Sequence, residues 1–234
     1  MEQSLSSELI FRVGPVEITR IIILTWAVMG AIVAAAAALR FTLRKNDPAR
    51  PQQIVEAMLS WLGEEIEGII GRDPAPFVPL VASLFIFILA SNLSSLFMPV
   101  AGLIKPPTAD LNTTVALASV VFVAVPFYGI VMTGAASYLK TYVRPVWIML
   151  PFNVISDLSR TIALAIRLFG NVFSGEILIG VILALVPFFL PLPLMFLSLI
   201  TGTIQAYIFA ILTIVYIGGA VRTVERHRDE GESQ

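Results

Sequence analysis

The chain has 234 residues, 57% of them hydrophobic and only 13% charged, with a mean hydropathy of +0.89. Soluble domains are near half apolar and about a quarter charged, so the composition excludes an ordinary soluble fold and indicates an integral membrane protein. A formal net charge of −1 with no dense basic stretch excludes nucleic acid as a partner, and the absence of cysteine excludes disulfides and thiolate metal sites.

Residues 1–20, "MEQSLSSELIFRVGPVEITR", are acidic and interrupted, with no basic segment leading into a cleavable apolar run. They read as mature chain on the outer side of the membrane rather than a signal peptide. A spanning helix needs about 20 mostly apolar residues. Residues 21–39 meet that without a charge, within a predicted helix over 21–42. Residues 52–70 place Ile54, Val55, Met58, Leu59, Leu62, Ile66, Ile69 and Ile70 on one half of a helical wheel, with Glu56, Glu64 and Glu67 pointing away. That pattern predicts an amphipathic helix on the cytoplasmic surface. Its acidic polar face fits packing against a partner subunit as well as it fits lipid. Residues 77–98 span with Asn92 as their one strongly polar residue, and residues 113–138 span with a kink expected at Pro126.

The last two spans fall in 152–186 and 193–221, joined by "PFFLPLP", whose three prolines favour a tight hairpin of antiparallel helices. The tail 222–234 reads as polar and frayed. The expected fold is an all-α integral membrane protein in a single membrane domain: five spanning helices plus the surface helix. Lysine and arginine are concentrated in one set of connecting segments, which places the N-terminus outside and the C-terminus in the cytoplasm. No internal repeat is visible, which argues against an inverted-repeat transporter.

Arg167 sits in the middle of "RTIALAIRLFGN", where a central arginine costs roughly 2.5–3.5 kcal/mol of insertion free energy. A structural ion pair with Glu176 and snorkelling to the interface are the plain explanations. Helix geometry weakens the pair, because nine residues put Glu176 on the opposite side of the cylinder and roughly 13 Å along it. Asn171, four residues on, shares the face of Arg167; Thr161, Leu164 and Ser174 lie near it. A guanidinium keeps its charge at physiological pH, so it suits holding an anionic carboxylate or repelling an ion better than carrying a proton. No carboxylate of this hairpin shares its face and depth, which assigns the counter-charge to another chain.

Glu176 is a carboxyl able to load and release a proton when desolvated, or a neutral acid hydrogen-bonded to a neighbouring helix. Ser198, Gln205 and Tyr216 are spaced seven and eleven residues apart and share a face, flanked by Thr201; Gln205 alone reads as interhelical glue, and the stripe as a hydrated path. Asp157 and Arg160, three apart, either pair with each other or serve an entry. The chain has no Walker loop, no GxGxxG after a strand and no HExxH, and its one histidine, His227, is in the tail. Neither cofactor, nucleotide nor catalytic metal is expected on it.

"RLFGN" from Arg167 to Asn171, followed by Gly175-Glu176, resembles the central signature of the subunit a family of the F-type ATP synthase membrane sector. "QAYIFAILTIVY", Gln205 to Tyr216, is similar to that family's last-helix signature. "SNLSSLFMP" (Ser91 to Pro99), "PTADLNTT" (Pro107 to Thr114) and "LPFNVISDLSR" (Leu150 to Arg160) resemble it in the expected order. The resemblance implies a stator beside a rotating ring of c subunits, with a peripheral stalk subunit b as further partner. It also implies a non-nucleotide-binding, ion-translocating role, two offset aqueous half-channels and steeply tilted last helices. By position, Arg167 becomes the stator arginine, and Asn171, Glu176 and Gln205 the polar residues around the ion paths. Three positions depart from the family's commonest pattern. Asn153 stands where many members are acidic, which moves the expectation to Asp157. Ser198 stands where a histidine or acid often partners the Glu176 position, and Thr161 replaces a frequent proline. Two other functional classes fit the bare composition: a free-standing secondary transporter with Arg167 as an anion site, and a structural membrane anchor.

Overall fold

In the computed structural model the backbone is described for residues 9–13, 16–42, 50–97, 106–143, 148–185 and 191–232. Among these described residues are seven α-helices: α1 (Arg20–Thr42), α2 (Arg50–Ile70), α3 (Val78–Phe97), α4 (Leu111–Thr133), α5 (Ala135–Val143), α6 (Met149–Leu185) and α7 (Pro191–Glu232). A short 3-10 turn, Pro107–Ala109, precedes α4. The all-α expectation needs one amendment: β1 (Leu9–Val13) and β2 (Val16–Thr19) form an antiparallel pair ahead of α1. β-branched and aromatic residues flanking Gly14-Pro15 carried that signal.

Four helices are long and apolar enough to cross a membrane: Arg20–Phe41, Leu111–Thr133, Leu150–Leu185 and Leu192–Arg222. The fifth expected span is the shorter apolar stretch Val78–Ser94 of α3, near the lower limit of what a bilayer requires. The helix expected over 113–138 instead stops at Thr133. Gly134 adopts φ +87° and donates its N–H to the Ile130 carbonyl (2.8 Å), closing the last turn; α5 restarts beyond it. α4 runs unbroken through Pro126, and Asp110 caps its start by accepting from the Asn112 N–H. The tail expected to fray continues α7 as helix to Glu232, a stretch that includes His227. The link 186–190, read as a tight turn, and Met98 lie outside the described residues.

α7 is the axis of the packing: half of its spanning residues are buried, against none in α1. Gly202, Ala206 and Ala210 recur every four residues and are buried, so a neighbouring backbone can approach along one stripe. The core joins α2, α3, α4, α6 and α7 through Leu62, Ile66, Val81, Ile88, Leu168, Phe209, Ile214 and their neighbours.

α2 corrects the expectation of lipid or a partner beneath its apolar stripe. Leu62 and Ile66 are fully buried in the chain's own core, and Trp61 contacts the rings of Phe85 on α3 and Tyr207 on α7. Glu56, Glu64 and Glu67 face outward as expected. The physical reason is fit: at Gly218 an added Cβ would meet Ile70 at 3.4 Å, so α7 leaves room for the end of α2. The C-terminus of α2 is closed by Gly71 (φ +74°), whose N–H reaches the Glu67 carbonyl, and by the Arg222 guanidinium, which donates to the Ile69 carbonyl. A cation at that end also complements the helix dipole.

Candidate functional site

α6 lies at the outside of the bundle and α7 at its centre. Their contacts pair Arg160 with Tyr216, Asn171 with Thr201 and Gly175 with Ser198, in opposite chain order, so the two helices are antiparallel. Polar residues collect at two levels of this seam.

The first cleft is lined by Asp157, Arg160, Thr161 and Tyr216 among apolar walls from α4 and α6. Arg160 and Asp157 form an ion pair at 3.7 Å, as their spacing of three allows. The Arg160 guanidinium also sits 5.9 Å from the centre of the Tyr216 ring, within cation–π range. Thr161 donates its hydroxyl to the Asp157 carbonyl (3.0 Å). Asn153, a turn earlier, is half-buried but outside this lining.

The second cleft is lined by Asn92, Asn171, Val172, Glu176, Ser198, Thr201 and Gly202, with room for about one water. Asn171 donates to the Thr201 carbonyl at 3.4 Å, a long bond that ties α6 to α7. Gly175 makes the approach possible, because a Cβ there would lie 3.1 Å from the Ser198 Oγ. Helical-wheel reasoning set Glu176 apart from the face of Asn171; the cleft takes in both because it runs along the α6–α7 seam, with Asn92 of α3 in its lining. Gly175→Val is therefore expected to force the seam apart and lower stability by about 1–3 kcal/mol. Thermal unfolding of the purified protein checks this, and an unchanged midpoint contradicts the close packing.

Arg167 stands between the clefts, roughly 9 Å along the helix from Thr161 and roughly 6 Å from Asn171. It is exposed on the outer side of α6 and, among the described residues, makes no hydrogen bond or ion pair. The exposed surface of α6 carries large apolar side chains along its length: Ile155, Ile162, Ile166 and Ile177 are each about half exposed or more. One turn from Asn171 brings Arg167, and one turn from Thr201 brings Gln205, so the antiparallel register sets these two at the same level. Gln205 is buried, with its Nε2 lacking a partner among the described residues. It lines neither cleft, so the stripe of Ser198, Gln205 and Tyr216 is divided between one cleft, the core and the other cleft.

Sequence reasoning gave no functional role to Asn92, Thr108 or Gly202. Asn92 is buried and donates to the Gly202 carbonyl (2.8 Å), while its Oδ1 accepts from the Thr108 hydroxyl (2.6 Å). The signal for Asn92 was its polarity within an apolar run. Thr108 lies in a connection between spans, within the "PTADLNTT" stretch, and nothing in its local pattern pointed to Asn92. No group of three or more histidine, cysteine or carboxylate side chains able to hold a metal occurs among the described residues.

Comparison with known proteins places these clefts in context. The family model described as ATP synthase A chain matches residues 21–218. The chain is 40% identical over 224 residues to "ATP synthase subunit a 2" of Bradyrhizobium sp., covering 95% of this chain and 97% of the relative. It is 43% identical to "ATP synthase subunit a 2" of Acaryochloris marina over 91% of this chain and 89% of the relative. It is also 44% identical to "ATP synthase subunit a 1" of Chlorobium luteolum, covering 92% of this chain and 95% of the relative.

Proposed function

The chain belongs to the ATP synthase A chain family, and on that premise we propose that it is the ion-conducting stator subunit of the membrane sector of a rotary ATP synthase. Its role in the complex is non-catalytic and membrane-embedded. The cleft at Glu176 and Ser198 and the cleft at Asp157 and Tyr216 serve as the two half-channels, and Arg167 separates them. The observation that carries this reading is a guanidinium exposed on an apolar outer face, unpaired among the described residues, between two polar clefts.

The mechanism is electrostatic. Moving an ionised carboxylate from water into a low-dielectric phase costs several kcal/mol even after relaxation. A c-subunit carboxylate therefore enters lipid only when an ion delivered through one cleft has neutralised it. On return it meets Arg167, which stabilises the empty carboxylate, so the ion leaves by the other cleft rather than crossing directly. Glu176, with Asn171 and Ser198 beside it, relays the ion on one side, and Asp157 does so on the other, a turn from Asn153. Gln205, level with Arg167, holds an unpaired donor whose burial costs roughly 1–3 kcal/mol, a cost suited to a polar function at that depth.

Length supports the arrangement. The 37 residues of α6 extend about 55 Å, against a hydrocarbon thickness of about 30 Å. A steep tilt along the ring accommodates that length and carries the two clefts to different depths. In this reading five spans lie in a bacterial plasma membrane with the N-terminus outside, an orientation that the positive-inside pattern favours, and the Asp157 cleft opens to the cytoplasm. Subunit b completes the stator.

Because the chain has no cysteine, Ile166→Cys gives a single label beside Arg167. In the assembled complex it is expected to cross-link to a cysteine placed one turn from the c-subunit carboxylate. The transporter alternative is favoured by the opposite pair of results: no cross-link to the ring, and anion uptake by this chain alone in vesicles. ATP-driven uptake with and without sodium distinguishes the coupling ion.

A further inference from the structure

The second cleft is backed by a chain of hydrogen bonds that crosses three segments. Thr108 sits in the short turn Pro107–Ala109, all three residues of which are buried. Its side chain is fully buried, and its hydroxyl lies 2.6 Å from the Oδ1 of Asn92 on α3. The Asn92 amide reaches across to the Gly202 carbonyl on α7 at 2.8 Å. The chemistry fixes the orientation. A carbonyl only accepts, so the end of Asn92 facing Gly202 is its NH2 group; the other end is then the oxygen, and the threonine hydroxyl must donate to it. The backbone is shaped for this bridge, because a Cβ on Gly202 would stand 3.0 Å from Asn92 Cβ and 3.1 Å from its Cγ. Asn92 also lines the cleft that holds Glu176, Asn171 and Ser198.

We propose that Thr108 is a positioning residue for the ion path: by donating to Asn92 it locks the orientation of that amide as a wall of the Glu176 cleft, and so tunes ion passage without touching the ion. The proposal rests on reading the Glu176 cleft as a half-channel. Without the hydroxyl, the Asn92 oxygen loses this donor in a buried setting, and the amide is held less tightly in its orientation. The dipole it presents to the cleft then changes. A threonine on a connecting segment thereby sets the polarity of a site between the spanning helices.

The test uses the complete ATP synthase in sealed vesicles, reading ATP-driven ion uptake against the amount of assembled complex. Thr108→Val keeps the shape and removes the donor; it is expected to lower uptake by ~5-fold or more with assembly unchanged. Thr108→Ser, which keeps the hydroxyl, is expected to stay within about twofold of the parent. Valine that pumps normally overturns the proposal, and so does serine that fails as badly as valine. Should valine prevent assembly, Thr108→Ala removes the same donor without the second methyl. If alanine also fails to assemble while serine assembles, the hydroxyl is structural and the proposal falls. Glu176→Gln separates the two layers of the argument. Normal uptake with that variant removes the half-channel reading itself, whereas blocked uptake with a normal Thr108→Val removes only the role of Thr108.

Discussion

Arg167→Ala abolishes ATP-driven ion uptake by the assembled complex, while passive ion flux through the membrane sector persists; this is the largest functional effect expected of any single substitution here. Removing one partner of a poorly solvated charge pair leaves the other charge uncompensated, at a cost of about 3–5 kcal/mol. As a barrier to the returning rotor carboxylate, that corresponds to a loss of more than ~100-fold in rate. The leak has a separate cause, since with no fixed cation between the clefts nothing prevents an ion from crossing directly. Arg167→Lys keeps the charge but lacks the planar fork of donors, and is expected to recover only part of the uptake. Uptake by ATP-energised vesicles, paired with dissipation of an imposed ion gradient, measures both effects. Undiminished uptake by the alanine variant would remove Arg167 from the mechanism.

Why this residue stands out from sequence is a matter of cost. A charge within a run of apolar residues is expensive wherever the chain folds, so its presence asks for an explanation before any contact is known. The exposure of Arg167 on an apolar surface answers half of that question, because its counter-charge is not on this chain among the described residues. The Asp157–Arg160 pair was similarly legible, because a spacing of three on one helix brings the two groups together. What periodicity cannot supply is the neighbour. It placed Glu176 away from Asn171 on a wheel, yet α3 and α7 close around both. It placed Ser198, Gln205 and Tyr216 on one face, yet that face is crossed by the core packing of α7. Gly134 was visible within the apolar run over 113–138, but only its positive φ shows that the helix ends there. Thr108 falls within the family-like stretch Pro107 to Thr114, but no periodicity pairs it with Asn92, since the bond reaches a residue sixteen positions away.

The same gap between pattern and neighbour yields the second large effect, on stability. Ile54 and Ile66 both fall within the apolar half of the α2 wheel, which alone does not say which of them is covered. In the fold they are not: Ile54 is 69% exposed and Ile66 is 0% exposed. Ile66→Asp introduces a carboxylate into the core shared by α2, α3 and α7. Burying an uncompensated polar or charged group there costs several kcal/mol, on top of about 2–5 kcal/mol for the aliphatic packing that is removed. The expected result is loss of the α2–α7 contact and severe depletion of assembled protein from the membrane. Ile54→Asp, at the exposed end of the stripe, is expected to cost under ~1 kcal/mol and to leave assembly intact. Quantifying each variant in isolated membranes, with thermal unfolding of whatever survives purification, sets the two side by side. If instead lipid or a partner covers the whole stripe, both aspartates should depress assembly to a similar degree. Equal losses would therefore show that the docking of α2 onto its own chain is not what stabilises it. An asymmetric result would identify α2 as an internal strut that braces the C-terminal half of α7, with Arg222 closing its last turn.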